Sequence, residues 1–105
     1  MAHFKVYENT NSGTNKKYPY LLDIQSDLLD DLRTSVAIPL APLSAMGNAA
    51  ITKLCPIVEI KSKKFVVLTQ QLAGIDRKVL GKEIADVSAC RSEVIAALDF
   101  LISGI

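Results

Sequence analysis

The stretch Ser88-Ala89-Cys90-Arg91-Ser92-Glu93-Val94-Ile95-Ala96-Ala97-Leu98-Asp99-Phe100-Leu101-Ile102-Ser103-Gly104-Ile105 decides the fold of this chain. It reads as a helix from near Ser88 to about Ile102, with Asp86 or Ser88 able to cap its start. Ser88, Ser92, Ala96, Asp99 and Ser103 fall on one narrow stripe. Most of the remaining circumference near the end is apolar: Val94, Ile95, Ala97, Leu98, Phe100, Leu101, Ile102 and finally Ile105. A surface helix on a one-sided core carries a wider polar face, so this one is expected to be covered on two sides. One cover is the chain's own core. The other is expected to be a second protein surface, for which a symmetric homodimer is the commonest solution; the alternative is a helix simply sunk in its own core.

Upstream of the helix the pattern is β. Phe4-Lys5-Val6-Tyr7 alternates apolar and polar residues with the period of a half-buried strand. Glu8 to Lys17 is polar and rich in turn formers, and a second strand is expected over Tyr18–Ile24, giving a hairpin with a long, mobile tip. Gln25 to Asp31 reads as a turn or short helical segment with Ser26 and Asp27 as caps. Val36–Leu40 reads as a short strand broken by Pro39 and ended by Pro42, and Ser44 to Asn48 as a loop. Two further strands, Cys55–Lys61 and Phe65–Gln71, are joined by Lys61-Ser62-Lys63-Lys64, and Gly74–Val79 adds an edge strand. The expected architecture is mainly β: about five short antiparallel strands in a small barrel with one C-terminal helix. The 105 residues make a single domain, long enough to bury roughly 65% of the unfolded surface.

Composition narrows the functions. Twelve Lys and Arg against eleven Asp and Glu give a net charge of +1, which argues against a protein that holds nucleic acid mainly through phosphates. No apolar run approaches the ~18 residues of a transmembrane helix, and the N-terminus has no signal core, so a cytoplasmic protein is expected. Cys55 and Cys90 are expected to be two buried thiols rather than a disulfide or metal ligands. The single histidine, His3, lies at the terminus, where an ordinary exposed residue is expected. Asp27, Asp30 and Asp31 are clustered, but caps and a solvated turn account for them better than a divalent metal. Ser26, Ser44 and Ser88 lack a nucleophile-elbow context, and the glycines form no phosphate-binding loop. No metal or cofactor is expected, and the chain reads as a binding protein rather than an enzyme. The candidate contact patches are the helix end, Asp99 to Ile105, and the apolar pair Leu28-Leu29.

Several blocks carry a family resemblance: Phe4-Lys5-Val6-Tyr7, Asp23-Ile24-Gln25-Ser26-Asp27-Leu28-Leu29-Asp30, Ile38-Pro39-Leu40, Glu83-Ile84-Ala85-Asp86-Val87-Ser88 and Gly104-Ile105. In order and spacing they closely resemble the CcdB toxin family over essentially the whole chain. The loop around Asn9 to Lys17 is a few residues longer than in the best-known plasmid member. The resemblance implies an SH3-like barrel, a homodimer with both C-terminal helices near the two-fold axis, and a toxin that wedges between the A subunits of DNA gyrase and traps the cleaved DNA complex without making or breaking a bond. It also implies release by an antitoxin, CcdA. Carried over by position, the gyrase surface is Leu28, Leu29 and Asp30 with Asp99, Leu101, Ile102, Ser103, Gly104 and Ile105. For the antitoxin the residues assigned are Lys16, Lys17, Leu43, Ser44 and Met46. One departure matters: the well-studied toxin carries Trp where this chain has Ser103, and losing such an anchor costs about 2–4 kcal/mol.

Two other readings are open. A CcdB-like protein that binds antitoxin but poisons gyrase weakly or not at all would follow from Ser103. An endoribonuclease toxin of the MazF and Kid type would share the barrel and need an RNA groove, for which Arg33, Arg77 and Arg91 are present without a recognisable catalytic spacing.

Overall fold

A computed structural model describes residues 4–25, 32–46 and 54–104. The described residues form seven strands: β1 Lys5–Asn9, β2 Tyr20–Asp23, β3 Thr34–Pro42, β4 Ile57–Ile60, β5 Lys63–Val67, β6 Ala73–Asp76 and β7 Leu80–Asp86. A single-turn helix, α1, spans Leu43–Met46, and the C-terminal helix, α2, spans Arg91–Ser103. Six strands run in the order β4-β5-β3-β2-β1-β7, and β6 pairs with β3 beside that path. All the pairings are antiparallel. The sheet curls into a half-barrel with α2 against it, which is the expected β-plus-one-helix class with seven strands in place of about five.

β7 is the strand that sequence periodicity misses, and its pairing explains why. Its register with β1 shifts between Val6 and Tyr7 and again between Tyr7 and Asn9. Each irregularity inserts an extra residue and resets the two-residue alternation, so Leu80–Asp86 carries no clean apolar/polar pattern. The strands approach closely at Gly81: a Cβ at this position would lie 2.8 Å from Thr10 Cγ2 and 3.2 Å from the Glu8 carbonyl oxygen, so one of them would have to shift.

β3 also departs from expectation, because Pro39 does not break it. Pro39 pairs with Leu21 of β2, and its carbonyl accepts the Leu68 N–H at 3.1 Å. On that edge β6 pairs with β3 as far as Ala37, and β5 begins at Leu40. In a strand the N–H and C=O of one residue point to the same side, so the missing donor of Pro39 falls in the gap between two partners. Pro42 ends the strand as expected. Between β4 and β5 the connection is only Lys61-Ser62, both at positive φ (52° and 67°), a two-residue hairpin of the kind whose twist suits a β-ribbon. Lys63 and Lys64 thus belong to β5 rather than to the loop.

The core lies on both faces of the curled sheet. Val6, Leu22, Ile38, Leu40, Phe65 and Val67 form the larger cluster, which α2 closes with Val94. Ala41, Cys55, Val66 and Leu68 form the smaller one, with Leu43 and Met46 of α1 packed against it. Neighbours along β5 enter opposite clusters, as the two-residue period requires. Each fully buried large side chain contributes roughly 1.5–3 kcal/mol of transfer free energy.

Candidate functional site

The helix end is built from its entry. Asp86 Oδ1 accepts the Ser88 N–H at 2.8 Å and also the Ser88 hydroxyl. These two hydrogen bonds hold the exposed Asp86 carboxyl below its ordinary range. They fix a 3-10 turn over Ser88–Cys90, from which α2 starts at Arg91. Asp86 therefore sets the turn, while Cys90, the residue at the α-helical N-cap, makes no side-chain cap. Val94 and Ala97 are completely buried, and Ile95 and Leu98 are partly buried against the larger core. The helix rests on the turn Thr69–Gln71.

The last turn lifts away from that support. Leu101 is 37% and Ile102 82% exposed, and Asp99, Ser103 and Gly104 are exposed beside them. Gly104 stops the helix in the left-handed conformation (φ 77°), and its N–H bonds the Phe100 carbonyl at 2.9 Å. Ser103 Oγ donates to the Asp99 carbonyl at 2.7 Å. The polar stripe Ser88, Ser92, Ala96, Asp99 and Ser103 is exposed along its length. Within the described residues, the end of the helix has the core on one side only. Ile105 lies outside the described residues.

Leu28, Leu29 and Asp30, the other part of the expected gyrase surface, also lie outside the described residues, as do Ser26, Asp27, Asp31 and His3. The structure shows how the chain is fixed on either side of residues 26–31. Asp23, 1% exposed, accepts the Ser35 hydroxyl at 2.7 Å and the Gln25 N–H at 3.1 Å. The Gln25 amide donates to the Thr34 carbonyl at 3.1 Å and accepts the Val36 N–H at 3.3 Å. Arg77 Nε donates to the Leu32 carbonyl at 2.6 Å, and its backbone N–H to that of Arg33 at 3.0 Å. A buried polar clamp thus joins the end of β2 to the start of β3. Sequence reasoning missed Asp23, Gln25 and Ser35. Their one signal was polar side chains inside a strand-like block, which buries them only because each finds a partner.

Of the three arginines that an RNA groove would use, Arg77 is tied to that clamp, the Arg91 guanidinium stands 5.9 Å from the Phe4 ring centroid, and Arg33 is exposed. Cys55 is buried, its thiol 3.3 Å from Gln70 Oε1. Cys90 is only half-buried, contrary to expectation, because it sits at the helix entry rather than in the core. Desolvation, with a smaller contribution from Glu93, raises its thiol pKa.

The second expected set falls around α1. Lys16, Lys17 and Met46 line a hollow of about 330 Å³, and Leu43 and Ser44 line a neighbouring one of about 780 Å³; Pro42 belongs to both. The loop that brings Lys16 and Lys17 there is an organised one. Asn9, 7% exposed, donates to Thr14 Oγ1 at 3.0 Å and the Tyr18 carbonyl at 2.8 Å, and accepts the Asn11 N–H at 2.9 Å. The Thr10 N–H and hydroxyl both bond the Val79 carbonyl, at 3.1 and 2.9 Å. The expected mobile tip is in fact folded over a buried asparagine.

A curled antiparallel half-barrel with a C-terminal helix whose last turn leaves Leu101 and Ile102 exposed defines a small, mainly β, barrel-type protein. The family model described as CcdB protein matches residues 3–104. The chain belongs to that family, whose members are toxins of type II toxin–antitoxin systems that act on gyrase. No helix among the described residues is long and apolar enough to cross a membrane.

Proposed function

We propose that the protein is a homodimeric toxin that binds the gyrase A subunit and traps the gyrase–cleaved DNA complex, and that a CcdA-like antitoxin neutralises it. The observation that carries this reading is the last turn of α2. Ile102 is 82% and Leu101 37% exposed on a helix otherwise anchored by Val94 and Ala97. Leaving such side chains in water forgoes the burial free energy that a partner would supply. In this reading Asp99, Leu101, Ile102, Ser103, Gly104 and Ile105 form the tip, with Leu28, Leu29 and Asp30 completing it. Symmetry presents each contact twice. The toxin acts by wedging, not by chemistry, so no residue is given a catalytic role. Lys16, Lys17, Leu43, Ser44 and Met46 contact the antitoxin.

Calorimetric titration with a gyrase A dimerisation fragment tests the reading. A saturable heat at one toxin dimer per fragment dimer is expected; no binding at ~100 μM overturns it. Defined cuts in RNA incubated with the pure protein would favour the endoribonuclease instead.

A second reading has a specific observation behind it. Ser103 turns its hydroxyl back to the Asp99 carbonyl, which satisfies it within the helix. It offers a partner neither a large apolar surface nor a free donor. A chain that binds antitoxin yet poisons gyrase weakly follows from this. Growth after induction in a gyrase-sensitive host separates the two: arrest supports the poison, normal growth the antitoxin-binding form.

A further inference from the structure

We propose that the groove between β2, α1 and β5 takes an extended acidic segment with an apolar anchor, and, resting on the antitoxin reading above, that this segment belongs to the antitoxin. The groove encloses about 780 Å³, within the range of ~300–1,000 Å³ that holds a ligand of several side chains. Its walls are apolar: Pro19, Tyr20, Pro42 and Leu43 are all partly exposed there. Tyr20 is braced from behind by Phe65, whose ring meets it edge-on at 5.1 Å and 64°. The two prolines bring no N–H groups that would need water.

The charge at the mouth has one sign. Lys63 and Lys64 line the groove and are exposed, and among the described residues no carboxylate lines it. Glu59 stands opposite Lys64 in the β4–β5 register, but among the described residues neither lysine closes an ion pair. Glu8, opposite Tyr20 in β1–β2, lines the next depression instead. The adjoining hollow across Pro42 adds Lys16 and Lys17, again with no carboxylate among the described residues of its lining. Four of the twelve cations of a chain with net charge +1 therefore border one apolar trough. Charge complementarity calls for carboxylates on the occupant, and the trough for an apolar side chain between them. The groove has one partly exposed ring, Tyr20, since Phe65 is 5% exposed, so it lacks the stacked aromatics of a single-stranded nucleic-acid site.

The test is a titration of the ¹⁵N-labelled full chain with a short synthetic peptide in which Glu and Asp flank Leu and Phe, followed by amide resonances. Shifts are expected at Tyr20, Leu43, Ser44, Lys64 and Phe65, and none with the Gln/Asn analogue. The double variant Lys63→Glu, Lys64→Glu, folded by its melting curve, is expected to weaken peptide and intact antitoxin by about fivefold or more. Raising salt from ~50 to ~500 mM weakens both in the same direction. Absence of groove shifts, an unchanged affinity in the double variant, or an oligothymidylate that fills the groove where the peptide does not, each overturns the proposal. Intact antitoxin that still binds the wild-type chain leaves the antitoxin reading standing in every one of those cases. Antitoxin that fails to bind the wild-type chain removes that reading, and with it the assignment of the segment.

Discussion

The two halves of α2 are built from the same kinds of residue and meet opposite fates. Val94 and Ala97 are fully buried, while Leu101 and Ile102, one or two turns further on, are 37% and 82% exposed. Composition does not separate them, because Val94, Ile95, Leu98, Leu101 and Ile102 are all apolar. What separates them is which of them packs against the larger core. The helix lies against the turn Thr69–Gln71 and closes the larger core through Val94, with Ile95 and Leu98 packed beside it; Leu101 and Ile102 are left exposed. An apolar side chain in a helix thus serves folding or binding according to whether it packs against the core, and the contrast locates the proposed contact tip.

The sharpest way to break the comparison is Val94→Asp. A carboxylate in a fully buried site with no partner costs about 4 kcal/mol or more, so loss of cooperative thermal unfolding is expected. A variant that melts like the wild type would remove the distinction between the two halves. Ser103→Trp probes the other half. It is expected to tighten binding to the gyrase fragment by about 2–4 kcal/mol of anchor energy, read by calorimetry, with melting changed little. Unchanged affinity would move the contact tip elsewhere. Ile102→Ser separates folding from binding: stability should stay within about 0.5 kcal/mol, as for an exposed site, while partner affinity falls about tenfold.

Gly104→Ala tests how the tip is terminated. Nothing lies within 4 Å of the added methyl group, but φ is +77°. The change therefore costs about 1–2 kcal/mol through backbone strain alone, seen as fraying of the last turn. The smallest effect is electrostatic. Bonds from the Ser88 side chain and backbone lower the Asp86 pKa. A carboxyl depressed on folding binds fewer protons in the native state than in the unfolded one. Its contribution is complete above the ordinary carboxyl range and is lost as pH falls through the depressed value. Asp86→Asn should therefore flatten part of the acid limb of the stability–pH curve and leave neutral-pH function intact. An identical acid limb would show that the turn at Ser88 owes nothing to that charge.

Much of the molecule was legible beforehand. The β1–β2 hairpin, the edge strand β6, the helix with its exposed Ser88–Ser103 stripe, and the projecting tip followed from periodicity and turn chemistry. The misses have local causes. β7 hides behind two register shifts, and Pro39 reads as a break because the change of partner beside it is a tertiary fact. The β4–β5 turn uses Lys61 and Ser62 at positive φ, where the usual Asn-Gly signal was missing. The polar clamp of Asp23, Gln25 and Ser35 and the buried Asn9 were illegible because a buried polar group is identified by its partner, not by its type.

The sequence by itself determined the class: strand-period segments, a capped terminal helix, the family blocks and a surplus of apolar residues at one end. These are properties of neighbours along the chain, and short-range sterics and periodicity encode them. The tertiary structure alone decided which apolar residues of α2 are spent on the core, where a proline is harmless, and which lysines gather beside Tyr20 and Leu43. Those depend on which distant segments meet, and no local pattern carries that information.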